Sequence, residues 1–288
     1  MSFTPQDIKK LREITGAGMM DCKKALSETS GDIEKATDWL RKKGINTAQK
    51  KLSRSASDGL ITIDTREKKG IIVEVNSETD FVAKNENFQN FCKRIASICV
   101  ENEINSLNQL MESRFDEKTL VKDELTNLVS KIGENLVIRR LNYIFQEENY
   151  IQTYLHNSVS DKSGKIGVII SYSVTNNTEE VMAFSKQIAM HIAALDPKSM
   201  DIGSLDKGLV NREREIYKEQ LSSSGKPPEI MEKIIDGKIK KFYGDVCLLE
   251  QFFVIDNKTK VKDIINLFNK EHEADYIIKD YLIYKLGS

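Results

Sequence analysis

The spacing of apolar residues changes near Asp58, and this change constrains the fold more than any other feature of the chain. Before it, apolar side chains recur every three or four residues, which is typical of amphipathic helices. After it, Leu60–Ile63 and Ile71–Val75 follow the shorter period of β-strands, with a polar turn near Glu67–Gly70 between them. The chain therefore combines a helical N-terminal segment with a core that contains a sheet.

Residues 1–50 are predicted to form a module of three short helices. Thr4 is a suitable N-cap for the first helix. The second helix is predicted over Met19–Glu28, and Asp32 caps a third helix that Gly44 ends. A module this small has little core and would be marginally stable by itself.

The remaining segments mix helices and strands in an order that predicts an α+β fold rather than a parallel α/β sheet. Helical patterns cover residues 86–100, 118–138, 179–195, 210–222, 229–242 and 261–271, and strand patterns cover 141–155, 165–174, 248–254 and 276–286. Residues 60–100 and 165–195 share a strand-then-helix order, which allows a duplicated core.

The helical patterns on either side of 223–228 predict an antiparallel hairpin. Their apolar residues form a thin stripe, which suits a projecting pair of helices better than a buried core. The predicted domains are a ubiquitin-associated-like helical module (1–50), a core N-subdomain (51–150), the first part of a core C-subdomain (151–204), the inserted hairpin (205–245) and the second part of the C-subdomain (246–288).

Composition argues against several classes of function. The formal net charge is −1, so nothing draws the whole chain toward nucleic acid or an anionic membrane. The longest apolar runs, such as Ile95–Val100, are too short to span a bilayer, and no leader precedes the first helix pattern, so we expect a cytoplasmic protein. The four cysteines form no Cys-x-x-Cys pair and the three histidines lie far apart, so we expect reduced, buried thiols and no zinc site.

The sequence contains no pattern for an active site. It has neither of the common phosphate-binding glycine motifs and no Gly-x-Ser-x-Gly sequence. Glu78 with Asp80, or His156 with Asp161, has the composition of an acid–base pair, but no third group that would orient either pair is evident. We therefore expect a protein that is not an enzyme and that holds no metal or other cofactor.

The segment Asn76–Asn85, between a predicted strand and a predicted helix, allows two interpretations. In the first, Thr79 or Asp80 caps the helix while Phe81 and Val82 pack beneath it. In the second, the adjacent carboxylate and ring form a wedge: the ring fills a pocket of a partner, and the carboxylate competes for a cation or repels a phosphate. The pattern alone favours the first interpretation.

The same segment carries a resemblance to a known family. Residues 77–85 resemble the signature segment of the elongation factor Ts family. Other segments resemble that family in the expected order: Leu11–Glu13, Thr15–Leu26, Trp39–Gly44, Lys131–Asn135, Arg139–Arg140, Gly164–Val168, Ala189–Ala194, Glu219–Gln220, Ser224–Pro227 and Leu249–Gln251. Because these motifs follow one another over nearly the whole chain, coincidence does not account for them.

The resemblance implies a function and an architecture. Members of the family are guanine nucleotide exchange factors that promote release of GDP and magnesium from the GTPase elongation factor Tu and have no active site. The implied fold is a three-helix ubiquitin-associated-like module, a core of two related α+β subdomains, and a helical hairpin inserted in the second. By resemblance, Asp80 and Phe81, flanked by Thr79 and Val82, would intrude near the magnesium and nucleotide site of Tu.

The resemblance also implies contacts to Tu elsewhere in the chain, at Arg12, Met19, Met20, Ile132, His156, Val254 and Ile255. Ordinary structural roles compete with these assignments. Met19 and Met20 open a helix, where one of them would commonly enter the core. Ile132 lies on a helical stripe that would ordinarily be buried, and a lone histidine such as His156 usually satisfies a structural role.

Four features depart from the family pattern. Asp58 stands where Glu is commoner, Asn157–Ser163 lengthens the turn after His156, and Phe252 replaces a frequent Pro. The sequence ends at Ser288 without the C-terminal helical module of many members, so we expect that contact to be missing.

Two other classes of function remain open from the sequence. One is a helical adaptor that uses the N-terminal module to bind a helix, and the other is a small hydrolase, for which no nucleophile–base pair is evident. The hairpin could pair with a second copy or with Tu, so a homodimer and a heterotetramer with Tu both remain open. Neither nucleic acid nor a membrane is an expected partner.

Overall fold

The computed structural model describes residues 3–51, 53–145, 147, 149–222 and 227–288, without the side chains of 45–50. Its mixture of helices and sheets confirms the α+β class. The helices are α1 (Pro5–Thr15), α2 (Met19–Glu28), α3 (Ile33–Lys51), α4 (Glu86–Asn102), α5 (Leu107–Met111), α6 (Val121–Ile132), α7 (Glu179–Leu195), α8 (Lys207–Ser222), α9 (Pro228–Val246) and α10 (Val261–Glu271). The strands are β1 (Asp58–Arg66), β2 (Lys69–Ser77), β3 (Leu136–Phe145), β4 (Tyr150–His156), β5 (Ser163–Gly164), β6 (Ile166–Ser173) and β7 (Ile277–Lys285).

The chain forms two compact units. Unit 1 comprises Met1–Phe145, Asn157–Gly167 and Tyr284–Ser288. Unit 2 comprises Gln146–His156 and Val168–Ile283.

Unit 1 is built on a sheet with the strand order β3-β2-β1-β5. Strands β1 and β2 form the predicted hairpin, in antiparallel register from Asp58 opposite Ser77 to Arg66 opposite Lys69. Helix α4 packs against both strands and contributes Phe88, Phe91 and Ile95 to the buried core. Burial of these side chains is the main force that holds β2, and therefore the segment after it, in place.

The N-terminal helices of unit 1 have a small core of their own. Thr4 and Asp7 form a capping box at the start of α1, as expected for an N-cap followed by an acidic residue. Asp32 caps α3 by accepting a hydrogen bond from the Lys35 backbone N–H. Leu11 and Leu26 are buried in this core, so the three helices pack through a thin apolar centre.

The predicted end of the third helix at Gly44 is wrong, because α3 continues to Lys51. Gly44 faces α6, and a Cβ atom at this position would lie 2.9 Å from the hydroxyl oxygen of Ser130. The glycine thus permits close packing of α3 on α6 instead of ending the helix.

The helix predicted over 118–138 is shorter in the structure. Helix α6 ends at Ile132 because Gly133 adopts a left-handed conformation, with φ 85°, and its N–H caps the carbonyl of Val129. Leu136 and Ile138 then belong to β3, which pairs with β2. Their apolar spacing suits either a helix or a strand, and the pattern alone does not place the boundary.

Unit 2 contains a sheet with the order β4-β6-β7. Helix α7 has the bounds that the sequence predicts, and Thr178 caps it. Phe184 of α7 stacks on Phe268 of α10 with ring centroids 4.1 Å apart, beside the buried ring of Tyr276. Aromatic packing therefore forms much of the core between these elements.

The strand predicted over 248–254 is wrong. Leu248–Glu250 form a short 3-10 helix, and the Leu248 and Leu249 N–H groups bond to the carbonyls of Ser199 and Met200. These bonds to the segment at Ser199 satisfy the backbone N–H groups outside any sheet, so Leu248 is buried without a strand partner.

Helices α8 and α9 pack on each other, as the predicted hairpin requires. Arg214 of α8 bonds to Glu232 and Asp236 of α9, and α8 buries no residue. Of the turn predicted at 223–228, residues 223–226 lie outside the described residues. Within the described part of the chain, no helix is long and apolar enough to cross a membrane.

Candidate partner-binding site

The segment after β2 divides its side chains between solvent and core. Phe81 is 77% exposed, and Asp80 is exposed beside it. The next residues, Val82 and Ala83, are only 4% and 2% exposed and belong to the core beneath α4. The first sequence interpretation requires both Phe81 and Val82 to pack beneath the helix. In the structure only Val82 does so.

The capping part of that interpretation is also wrong. The side chain of Asn85 caps α4 by accepting hydrogen bonds from the N–H groups of Asn87 and Phe88, at 3.0 and 3.3 Å. The Asp80 carbonyl accepts from Ala83 N–H, which closes a tight turn into the 3-10 helix Val82–Lys84. Thr79 and Asp80 are thus free of any capping role.

The base of the turn is held by two glutamates. Glu134 accepts hydrogen bonds from the Thr79 backbone N–H at 2.9 Å and from the Thr79 hydroxyl at 2.7 Å. Glu78, the residue before Thr79, accepts a hydrogen bond at 2.6 Å from the backbone N–H of Asn135, the residue after Glu134. That bond, together with Arg54, holds the pKa of Glu78 below its ordinary value, so the carboxylate stays ionised at neutral pH.

The exposed pair of the turn is available for a partner. Among the described residues, nothing forms a hydrogen bond, ion pair or ring contact with the side chains of Asp80 or Phe81. An exposed ring on a fixed turn can enter an apolar pocket, and the adjacent carboxylate can approach a cation or repel a phosphate. Val82 was predicted to bind the partner; in the structure its side chain is buried in the core beneath α4.

Arg12, Met19 and Met20 are all exposed in the N-terminal module of unit 1. Met20 is 74% exposed, and neither methionine enters the small core formed around Leu11 and Leu26. Ile14 is also exposed, and the sequence pattern did not indicate it as a contact residue. The N-terminal module therefore exposes several apolar side chains, which are available for contacts with a partner.

Ile132 and His156 have different environments. Ile132, at the end of α6, is half-buried and packs against the core of unit 1, so most of its side chain serves packing. His156 ends β4 in unit 2, is exposed, and has its Nδ1 3.0 Å from the Tyr154 hydroxyl. Of these two candidates, His156 is the more exposed, and Ile132 leaves only part of its side chain to solvent.

Val254 and Ile255 are exposed in unit 2, after the buried side chain of Phe253. The Val254 backbone N–H donates to Nδ1 of buried His191 at 3.1 Å, and Nε2 of the same ring lies 3.0 Å from Gln251 Oε1. Burial lowers the pKa of His191, so the ring stays neutral at pH 7. These contacts fix the backbone that carries the two exposed apolar residues.

The predicted site residues are distributed over both units. Unit 1 carries the turn at Thr79–Val82, Ile132 and the exposed residues Arg12, Met19 and Met20; unit 2 carries His156 and the pair Val254–Ile255. Glu134, His191 and Gln251 hold such residues in place, although no role for them was predicted. All three lie in motifs of the family resemblance, which is the one signal that singles them out.

Among the described residues, no group of three or more His, Cys, Asp or Glu side chains is arranged to hold a metal ion. The four cysteines are free and buried, which confirms the expectation of buried thiols. Burial raises the pKa of the Cys99 thiol to about 12 and also raises the pKa of Cys92, so neither is a ready nucleophile at neutral pH.

Comparisons with known proteins give one consistent result. A family model described as "Elongation factor TS" matches residues 78–288. The elongation factor Ts of Erythrobacter litoralis is 43% identical over 285 residues, which cover 99% of this chain and 92% of that protein. The elongation factor Ts of Rhodospirillum rubrum is 42% identical over 282 residues (97% and 91%), and that of Rickettsia bellii is 41% identical over 288 residues (100% and 93%).

Proposed function

The chain belongs to the elongation factor Ts family of translation factors, and from this membership we propose that it promotes release of GDP and magnesium from elongation factor Tu. In this proposal the protein is an exchange factor rather than an enzyme: it needs no cofactor and acts by binding Tu. It works in the cytoplasm, where translation takes place.

The observation that carries the proposal is the anchored turn with two unengaged side chains, Asp80 and Phe81. A nucleotide exchange factor must bind its GTPase in a conformation that holds nucleotide poorly. By linkage, the factor by which this protein weakens GDP binding equals the factor by which GDP weakens binding of this protein. Each tenfold of that antagonism corresponds to about 1.4 kcal/mol.

Phe81 supplies part of this free energy in the proposed mechanism. Its ring is 77% exposed in the free protein, so nearly all of its surface remains to be buried on Tu. Full burial of such a side chain contributes about 1.5–3 kcal/mol. If the receiving pocket opens only when the nucleotide site is distorted, this burial energy favours the distorted state.

Asp80 acts through charge in the same mechanism. Magnesium prefers carboxylate oxygens and nearly ideal octahedral geometry, so a carboxylate brought close to its site disturbs the ion's coordination. The carboxylate also repels the phosphates of GDP. Thr79 and Val82 hold the pair in place.

The remaining candidate residues would give binding energy rather than exchange. We assign the N-terminal contact with Tu to Arg12, Met19 and Met20, and the contact of unit 2 to Val254 and Ile255. Ile132 and His156 complete the proposed contacts, with Ile132 contributing through the part of its side chain that the core leaves exposed.

The division into a module (1–50), a core N-subdomain (51–150), a core C-subdomain (151–204 and 246–288) and an inserted hairpin (205–245) also forms part of the proposal. The hairpin comprises α8 and α9, on which Ile216 and Ile230 are exposed. These side chains offer a surface for a homodimer or for a heterotetramer with Tu.

Release of labelled GDP tests the proposed function. Tu is loaded with fluorescent GDP in the presence of magnesium, and the release rate is measured against excess unlabelled GDP, with and without this protein. We expect the rate to rise with protein concentration and to saturate. An unchanged rate at all concentrations would reject the exchange function. A pulldown from bacterial lysate that yields another protein and no Tu would favour the helical adaptor instead.

A further inference from the structure

The turn that carries Asp80 and Phe81 is braced by a residue far away in sequence. Glu134 lies 55 positions after Thr79, yet both oxygens of its carboxylate accept hydrogen bonds from that residue. Hydrogen bonds to an ionised carboxylate are shorter and stronger than neutral ones. One side chain therefore fixes both the backbone and the side chain of the residue that precedes Asp80.

The other end of the turn is anchored by burial. Val82 and Ala83 lie in the core of unit 1, and the Ala83 carbonyl accepts a hydrogen bond from the Gln89 side chain at 2.9 Å. Asp80 and Phe81 are thus the two exposed residues between a hydrogen-bonded anchor and a buried anchor.

An unbraced turn would weaken any function that depends on its shape. Fixing the backbone of a residue costs conformational entropy. If residues 78–81 were mobile in the free protein, binding to a partner would have to supply that free energy. A turn that is already ordered avoids this cost, which is the usual advantage of preorganisation.

We propose that Glu134 is a positioning residue for the wedge: it holds the Asp80–Phe81 turn in the conformation that enters the partner before the partner arrives. The inference rests on the proposed exchange function, and it assigns to Glu134 a role that requires no contact with Tu. Its effect passes through Thr79, whose backbone N–H and hydroxyl each donate a hydrogen bond to one oxygen of the carboxylate.

Substitutions of Glu134 can distinguish this positioning role from a general contribution to the stability of the fold. Glu134→Ala removes both acceptors. Glu134→Gln keeps a carbonyl oxygen for the Thr79 N–H, and its amide can donate to the Thr79 hydroxyl oxygen, so it should restore much of the function. Glu112→Ala is a matched control, since it removes a carboxylate of the same unit that pairs with Lys122 and has no contact with the turn.

The experiment measures two quantities for each full-length variant. The first is hydrogen exchange of the peptide covering residues 77–85 in the free protein. The second is the dependence of GDP release from Tu on the concentration of the variant. For Glu134→Ala we expect faster hydrogen exchange in that peptide and, below saturation, a release rate lower by about tenfold. Glu134→Gln and Glu112→Ala should resemble the unmodified protein.

A double substitution separates positioning from general stability. If Glu134 acts through the wedge, Glu134→Ala should have a smaller effect in a Phe81→Ala background than in the unmodified protein, because one of the two positioned side chains is already absent. Release at the unmodified rate by Glu134→Ala, or equal losses in both backgrounds, would overturn the inference while leaving the exchange function intact. Failure of the unmodified protein to release GDP would instead overturn the proposed function and this inference with it.

Discussion

His191 accepts a hydrogen bond from the backbone N–H of Val254, with 3.1 Å between Nδ1 and the amide nitrogen. A backbone N–H can only donate, so Nδ1 carries no proton, and Nε2 must donate to Gln251 Oε1 at 3.0 Å. Gln251 in turn donates to the carbonyl of Asp245 at 2.8 Å. The network is satisfied only when the imidazole is neutral.

Stability should therefore decrease in mild acid. Burial lowers the pKa of His191 in the folded state, whereas the unfolded chain binds a proton with the ordinary pKa of about 6.5. The unfolded state then holds more protons below about pH 6.5, so the free energy of unfolding falls as the pH decreases, by at most about 1.4 kcal/mol per unit. Urea denaturation between pH 7.5 and 5.5 measures this slope.

His191→Asn provides the control for that slope. Its amide oxygen can still accept from the Val254 N–H, but the side chain does not titrate, and His156 and His272 remain. We expect the variant to be less stable at pH 7.5 and to have a shallower pH dependence than the unmodified protein. Equal slopes for the two proteins would show that His191 does not cause the dependence.

Adjacent substitutions in the turn should separate a wedge from a core residue. Phe81→Ala removes an exposed ring, so the free energy of unfolding should change by less than about 0.5 kcal/mol. Val82→Ala removes two buried methyl groups and should cost about 1.5 kcal/mol or more. Urea denaturation at pH 7.5 compares them. A larger loss for Phe81→Ala than for Val82→Ala would mean that the ring supports the fold.

Gly44 of α3 and Gly237 of α9 should respond in opposite ways to substitution by leucine. A side chain at Gly44 would collide with Ser130 on α6, whereas the space around Gly237 is open within 4 Å. We expect Gly44→Leu to lower the thermal unfolding midpoint. Gly237→Leu should leave it unchanged or raise it, because leucine favours helix over glycine by up to about 1 kcal/mol. An unfolding midpoint for Gly44→Leu at or above the unmodified value would contradict the close packing of α3 on α6.

The cysteines should be protected from thiol reagents until the protein unfolds. All four are buried, and burial raises the pKa of the Cys99 thiol to about 12, so little reactive thiolate is present. At pH 8 the native protein should react slowly with Ellman's reagent, and the protein in 8 M urea should react rapidly with four equivalents. Fast stoichiometric reaction of the native protein would show that at least one thiol is accessible.

Local patterns predicted most of the fold. The hairpin of β1 and β2 and the bounds of α2, α7 and α10 follow from apolar spacing and capping residues, which act over a few positions. The errors occurred where a tertiary contact decides the outcome. Gly44 has the residue type of a helix end, but its packing against Ser130 lets α3 continue.

The candidate site was predictable only in part, for the same reason. Spacing placed Phe81 and Val82 between a strand and a helix, but it did not show that one is exposed and the other buried. The hydrogen bonds of Glu134 to Thr79 join residues 55 positions apart and leave no local pattern. The family resemblance includes both segments, but the contact between them exists only in the folded structure.

The most direct test of the account is the rate of GDP release from Tu by saturating amounts of Phe81→Ala and Asp80→Ala. Phe145→Ala is the matched control, since Phe145 is an exposed aromatic residue of the same unit and lies outside the turn. We predict slower release with Phe81→Ala and with Asp80→Ala, and unmodified release with Phe145→Ala. Release at the unmodified rate by both turn variants would contradict the claim that Asp80 and Phe81 drive nucleotide exchange.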